Sequence, residues 1–219
     1  MEKGNDWSRQ IIYGTGNPAK LDGMKRWLEP LGIHLIGLME FAEKANVEIP
    51  SIAEDGISPL ENARKKALGY YHAFHMPVFS CDSGLYLDGV PEEKQPGVHV
   101  RRIDGKYLTD EEMLEYYTEL IRKYGENGRL KARYKNAICL VLNDKEIYEA
   151  MEPGMESEAF LLTSERRYAV RQKGFPLDSI SIDIKTGKYY YDLDESELDY
   201  VAGEKGFLEF FEKILISVW

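Results

Sequence analysis

Cysteine is scarce in this 219-residue chain, with Cys81 and Cys139 the only two. No disulfide framework is therefore expected, and the composition fits a reducing, cytoplasmic setting. Long apolar runs are missing too. No stretch approaches the ~18 residues of a membrane-spanning helix. The opening segment MEKGNDWSRQ is polar and lacks the apolar core of a signal peptide. There is no GxxxxGK[ST] sequence, which excludes a P-loop. Histidine is limited to His34, His72, His75 and His99, in no order that suggests a Ser or Cys hydrolase. His72 and His75 share a predicted helix, but a pair without a third ligand reads as helix surface. Positive charge is short as well: 28 Lys and Arg face 38 Asp and Glu, a formal net charge of -10. That argues against wrapping a nucleic-acid polymer. A nucleotide stays open as a substrate, since a local basic pocket or a bound cation reverses the field. Internal repeats and low-complexity tracts are absent.

What is present suits one globular domain over 1–219. Hydrophobic residues reach 43%, and the fifteen tyrosines suit half-buried sites with a wet hydroxyl. Residues 10–13 (QIIY) read as a buried strand, and apolar positions at helical spacing predict a helix over 21–31. A second strand is expected over 33–38. Ser58, Pro59 and Glu61 have the spacing of a capped helix start, so a helix is predicted over 58–74. A strand over 77–80 runs into CDSGLYLDG. A helix is expected over 110–124, a hairpin over 137–142 and 147–151 around Asn143-Asp144, and a strand over 158–163. Tyr189 to Tyr191 read as strand, Asp192 to Asp199 as a solvated loop or helix start, and 200–219 as a final helix. The mixture predicts an α/β fold whose sheet has parallel and antiparallel pairs.

Three segments carry chemistry. Thr15-Gly16-Asn17-Pro18-Ala19-Lys20 lies between a strand and a helix, where backbone N–H groups hold phosphate oxygens and Lys20 adds a positive charge. Glu54 precedes the 58–74 helix, where its carboxylate either offers oxygen to a hard cation or belongs to a solvated charged surface. Glu61 and Lys65 are spaced for a surface ion pair, and Lys66 faces differently. Cys81-Asp82-Ser83-Gly84 follows a strand, where open α/β sheets bind ligands.

In order and spacing these segments resemble the inosine triphosphate pyrophosphatase (Ham-type) family. TGNPAK is similar to its TGNxxK signature. EDGISPLENARKKA looks like its acidic helix approach, and CDSGLYLDGVPEEKQPGVHVRRI like its DDSGL stretch. KGFPLDS stands where the family has GFGYDP, and GEKGFLEFF where it has SHRG. The resemblance implies an elongated mixed sheet flanked by helices, with two lobes and an active-site cleft between them. It implies Mg²⁺-dependent release of pyrophosphate from a nucleoside triphosphate, in nucleotide-pool sanitation, by a cytoplasmic homodimer. Asn17, Lys20 and Lys66 then match the triphosphate contacts, with Thr15, Gly16 and Ser83 beside them. Glu54 and Asp82 match the acids that hold Mg²⁺ and activate water. Gly84 keeps the turn open after the acidic site. Phe175 matches the aromatic that stacks on the base, Asp178 the acid of GFGYDP, and Lys205 the last residue of SHR.

The departures are specific. Cys81 replaces one acid, and a thiol does not suit Mg²⁺. Asp88 is a substitute acid or a turn residue. Pro176-Leu177 replaces Gly-Tyr, Gly203-Glu204-Lys205 replaces SHR, and Asp199 stands where the family has a lysine. A carboxylate facing a keto oxygen costs roughly 1–3 kcal/mol. Inosine and xanthosine triphosphates are therefore not expected to be strongly preferred, and the alternative these departures leave is a nucleotide-binding family member with reduced or altered catalysis acting on a different base.

Overall fold

The computed structural model describes residues 10–103, 105–171, 175–202 and 204–218. In chain order the elements are β1 Gln10–Tyr13, α1 Pro18–Leu28, β2 His34–Gly37, α2 Leu38–Ala45, α3 Pro59–Phe74, β3 Val78–Leu87, β4 Arg102–Ile103 and β5 Lys106–Tyr107. Then follow α4 Asp110–Tyr124, β6 Arg129–Asn143, β7 Glu146–Ala150, β8 Phe160–Thr163, β9 Ser181–Asp183, α5 Glu195–Ala202 and α6 Glu204–Val218. The fold is mixed α/β, as expected. Two compact units divide it: Met1–Asp82, Asn136–Glu152 and Gly206–Trp219 form the first, Ser83–Lys135 and Pro153–Lys205 the second.

In the first unit the strand order is β2-β1-β3-β6-β7. β1 runs parallel to β2 from Gln10↔His34 to Tyr13↔Gly37, and parallel to β3 at Ile12↔Val78 and Tyr13↔Phe79. A central parallel strand is covered on both faces, which is why Ile11, Ile12 and Tyr13 are all apolar or aromatic and buried. Tyr13 stacks on Phe79 at 4.4 Å, and Phe79 meets Phe211 of α6 edge-on at 5.1 Å. β6 and β7 form the predicted hairpin around Asn143-Asp144.

Helix boundaries follow local chemistry. α1 begins earlier than the predicted residue 21, because Pro18 suits a first helical position where no N–H is needed. It stops at Leu28, and Pro30 and left-handed Gly32 shape the 3-10 turn that follows. α3 starts as predicted: Ser58 accepts the Glu61 N–H, and Pro59 follows the cap. α2 was not predicted. Its buried Leu38, Phe41 and Ala42 continue the apolar pattern of β2, so no polar break separates the two in sequence.

In the second unit the order is β3-β6-β8-β9. β8 pairs antiparallel with β6 and β9, and Leu85, Leu87, Leu130, Phe160 and Leu162 pack with Tyr117 and Ile121 of α4. Tyr189 to Tyr191 are not a strand. They enter a 3-10 turn, and Tyr190 packs on Phe160 at 5.4 Å. The acidic run is a helix start: Asp194 accepts the Glu197 N–H, and Glu197 accepts the Asp194 N–H, each at 2.9 Å. The helix expected over 200–219 falls on the end of α5 and on α6, and residue 203 between them lies outside the described residues. Among the described residues no helix is long and apolar enough to cross a membrane.

Candidate active site

The loop from β1 to α1 is pinned at its root. Gly14 donates its N–H to Phe79 O at 2.8 Å, and Ser80 Oγ donates to Gly14 O at 3.2 Å. This holds the loop beside β3 two residues before Asp82. Thr15 Oγ1 accepts the Asn17 N–H at 3.2 Å, and Asn17 Oδ1 accepts the Lys20 N–H at 3.4 Å. Asn17 therefore caps α1, a use of its side chain that the sequence reading did not include. At Gly16 a side chain would meet nothing within 4 Å, so the loop leaves an open place at the helix start. Lys20 is exposed there, and no ion pair ties down its ammonium among the described residues.

Facing this loop's root is a charge cluster. Lys66 on α3 places its Nζ 2.9 Å from Glu54 Oε2 and 3.1 Å from Asp82 Oδ1. The lysine is 12% exposed and Asp82 15%, whereas Glu54 is 49% exposed. Burial works against the ammonium, but Asp82 and Glu54 outweigh it and raise the lysine pKa above its ordinary value. Lys66 is therefore charged at neutral pH. Asn62 Nδ2 donates to Asp82 Oδ2 at 3.1 Å, and Asn62 Oδ1 accepts the Gly56 N–H at 2.8 Å. Glu54, Lys66 and Asp82 thus meet as expected.

Two carboxylates beside one cation are the donor chemistry of a hard divalent ion, which takes one or two carboxylates plus water and phosphate oxygens. The residues fit Mg²⁺. Lys66 occupies one oxygen of each acid, leaving Glu54 Oε1 and the remaining lone pairs of Asp82. Among the described residues no group of three or more His, Cys, Asp or Glu could hold a metal by itself, so water and phosphate oxygens would complete the shell. Burial pushes the Cys81 thiol up to about 12, so it is neutral at pH 7 and packs as a small apolar side chain.

Some local roles are corrected. β3 does not end before the CDSG segment but runs on to Leu87, so no turn follows Asp82. Asp82 instead lies just past Phe79, where the parallel pairing with β1 stops. Gly84 is small for a different reason: a Cβ there would sit 3.1 Å from the Gly97 carbonyl, beside the Leu85–Gly97 bridge. Glu61 and Lys65 do not pair. Glu61 accepts the Ile57 N–H at 2.9 Å, and Lys65 binds Asp55 at 2.7 Å. Asp88 is a turn residue paired with Lys131 at 3.4 Å.

The remaining candidates belong to the second unit. Ser83 is half-buried on β3. Phe175, half-buried, precedes the 3-10 turn Pro176–Ile180, and burial pushes the Asp178 carboxyl up to about 7. Lys205 is exposed on α6.

The family model for the Ham1 family matches residues 11–188, most of the chain. This chain belongs to the Ham1 family. A dITP/XTP pyrophosphatase of Thermus thermophilus is 35% identical over 152 residues, covering 68% of this chain and 69% of that protein. One from Oceanobacillus iheyensis is 27% identical over 213 residues, covering 96% and 100%. The solved Ham1 protein of Coxiella burnetii matches with a TM-score of 0.73 and 24% identity, covering 95% of this chain and 99% of that one. The Staphylococcus aureus Ham1 protein matches at 0.69 and 21% identity, covering 95% and 98%. Both structures share the fold. For a Ham1 chain the C-terminal substitutions are the open positions: residue 203 and the side chains of Asp199 and Glu204 lie outside the described residues. Asn62 was missed in sequence although it stands inside the quoted ENA run. The signal was an amide, a poor helix former, four residues into a well-capped helix.

Proposed function

We propose that this chain hydrolyses a nucleoside triphosphate, ribo or deoxy, to the monophosphate and pyrophosphate, and so clears unwanted nucleotides from the pool. The Lys66 ammonium between Glu54 and Asp82, set beside an open loop at the start of α1, carries the reading. Relatives named dITP/XTP pyrophosphatases support it.

The reaction needs water to attack the α-phosphorus while the leaving pyrophosphate is held. Lys20, exposed at the loop, neutralises phosphate oxygens, with backbone N–H groups near Gly16 adding donors. Lys66 brings a second charge, held ready by its two acids. Glu54, the exposed carboxylate, accepts a proton from the attacking water. Asp82 is held in one orientation by Asn62. Glu54 and Asp82 would hold Mg²⁺, which supplies Lewis acidity toward phosphate oxygens when bound. In the second unit Phe175 offers a face on which any base stacks, with Asp178 and Lys205 as polar neighbours in sequence. Thr15, Asn17, Ser83 and Gly84 complete the proposed substrate-binding set. A homodimer in the cytoplasm is part of the same proposal.

The test measures pyrophosphate release by the wild type and by Lys20→Ala and Lys66→Ala. Each variant should lose about 10- to 100-fold in kcat/KM, from charge-assisted bonds of ~1.5–3 kcal/mol. The loss should be equal for every base, because a lysine on phosphate reads no base. A loss confined to one nucleotide contradicts the assignment.

A further inference from the structure

Asn62 moves no proton and meets no phosphate in the proposed chemistry, yet its surroundings are those of a built support. It is 2% exposed, at the fourth position of α3. A buried amide there is unfavourable unless both ends are satisfied. Both are. The Gly56 N–H can only donate and the Asp82 carboxylate only accepts, so the amide orientation is dictated by its partners. A side chain on Gly56 would come 2.6 Å from Asn62 Oδ1, so the loop and the amide fit as a pair.

We infer that Asn62 is a positioning residue that ties the loop carrying Glu54 to the strand carrying Asp82, and thereby sets the spacing of the two acids for a divalent cation. The inference rests on the proposed function. Gly56 is two residues from Glu54, and the bond at Asp82 is on the oxygen that Lys66 does not use. The same loop is tied to α3 at Ile57–Glu61 and Asp55–Lys65, so removing the amide loosens one tie and leaves the rest. Asn62 touches no substrate. It acts by holding Asp82 and the Glu54 loop, as partners behind a metal-binding carboxylate do.

The experiment titrates the full chain with Mn²⁺ as a probe of the cation site, for wild type, Asn62→Leu, Gly56→Ala and the double variant, alongside thermal melting. Each single variant should bind Mn²⁺ about 10- to 100-fold more weakly. The double variant should be no worse than the weaker single one, because both cut the same tie. The Mg²⁺ concentration for half-maximal pyrophosphate release should rise by a similar factor. If Asn62→Leu fails to fold, Gly56→Ala carries the test. Lower melting temperatures with unchanged Mn²⁺ affinity overturn the inference, as does a wild type that binds no Mn²⁺. A wild type that releases no pyrophosphate, with weakened Mn²⁺ binding in the variants, sinks the functional reading and leaves this one standing.

Discussion

At the scale of single residues the informative groups are charges whose surroundings differ from water. Lys66 gains more from two carboxylates than it loses to burial, so it stays an ammonium. Asp178 is the opposite case, since burial alone pushes its carboxyl up to about 7. An unfolded aspartate titrates near ~3.9. The folded state therefore binds the proton more tightly, and the stability this adds is full below about pH 4. It is lost as the pH rises through about 7. Asp178→Asn keeps the shape without the charge. It should be the more stable protein at pH 8, by roughly 1–3 kcal/mol after allowance for partial exposure. The difference should shrink toward pH 5. Denaturant unfolding of both proteins across pH 5–8 checks this, and a constant difference over that range contradicts it. Legibility at this scale was uneven. Lys66, Glu54 and Asp82 were found through motif spacing. Asn62 was not, because its value lies in two partners, Gly56 and Asp82, of which Asp82 is 20 positions away in sequence.

At the scale of elements, the β1–α1 junction contains two glycines with different duties. A Cβ at Gly14 would lie 2.2 Å from Ser80 Oγ and 2.7 Å from Tyr70 Cδ2, whereas one at Gly16 would meet nothing within 4 Å. Gly14→Ala should therefore cost about 1–3 kcal/mol of overpacking. At this chain length that is a drop of roughly 2–12 °C in Tm. Gly16→Ala should leave Tm within about 2 °C and raise KM for the triphosphate, since its open place is where a phosphate would lie. Melting curves with steady-state kinetics separate the two, and equal Tm losses would contradict the account. Elements with local signals were legible. α3 announced itself through Ser58, Pro59 and Glu61, and the β6–β7 hairpin through Asn143-Asp144. β3 was read too short because Asp82-Ser83-Gly84 has the composition of a turn. What keeps it extended is pairing with β6 and the Leu85–Gly97 bridge, and neither partner is visible from the segment itself. Tyr189 to Tyr191 had strand composition, but the packing of Tyr190 on Phe160 suits a 3-10 turn.

At the scale of the whole molecule, an acidic chain of net charge -10 concentrates the chemistry of an anionic substrate in one local arrangement. The first unit holds the loop, Lys20, and the cluster of Glu54, Lys66 and Asp82. The candidates for base contact, Phe175, Asp178 and Lys205, belong to the second unit. Family membership was legible from TGNPAK, the 54–67 run and the CDSGL segment, because phosphate and cation chemistry constrain residue types tightly. The base was not, since the GFPLDS and GEKG segments depart from the family pattern. The most direct measurement is a pyrophosphate-release screen over the four common triphosphates and their deaminated forms, ribo and deoxy, with and without Mg²⁺. Pyrophosphate and monophosphate should appear in equal amounts, only with Mg²⁺, with a kcat/KM preference for inosine triphosphate below about a hundredfold, or ~2.7 kcal/mol. No release from any triphosphate, or release that continues after chelation of all divalent ions, would contradict it.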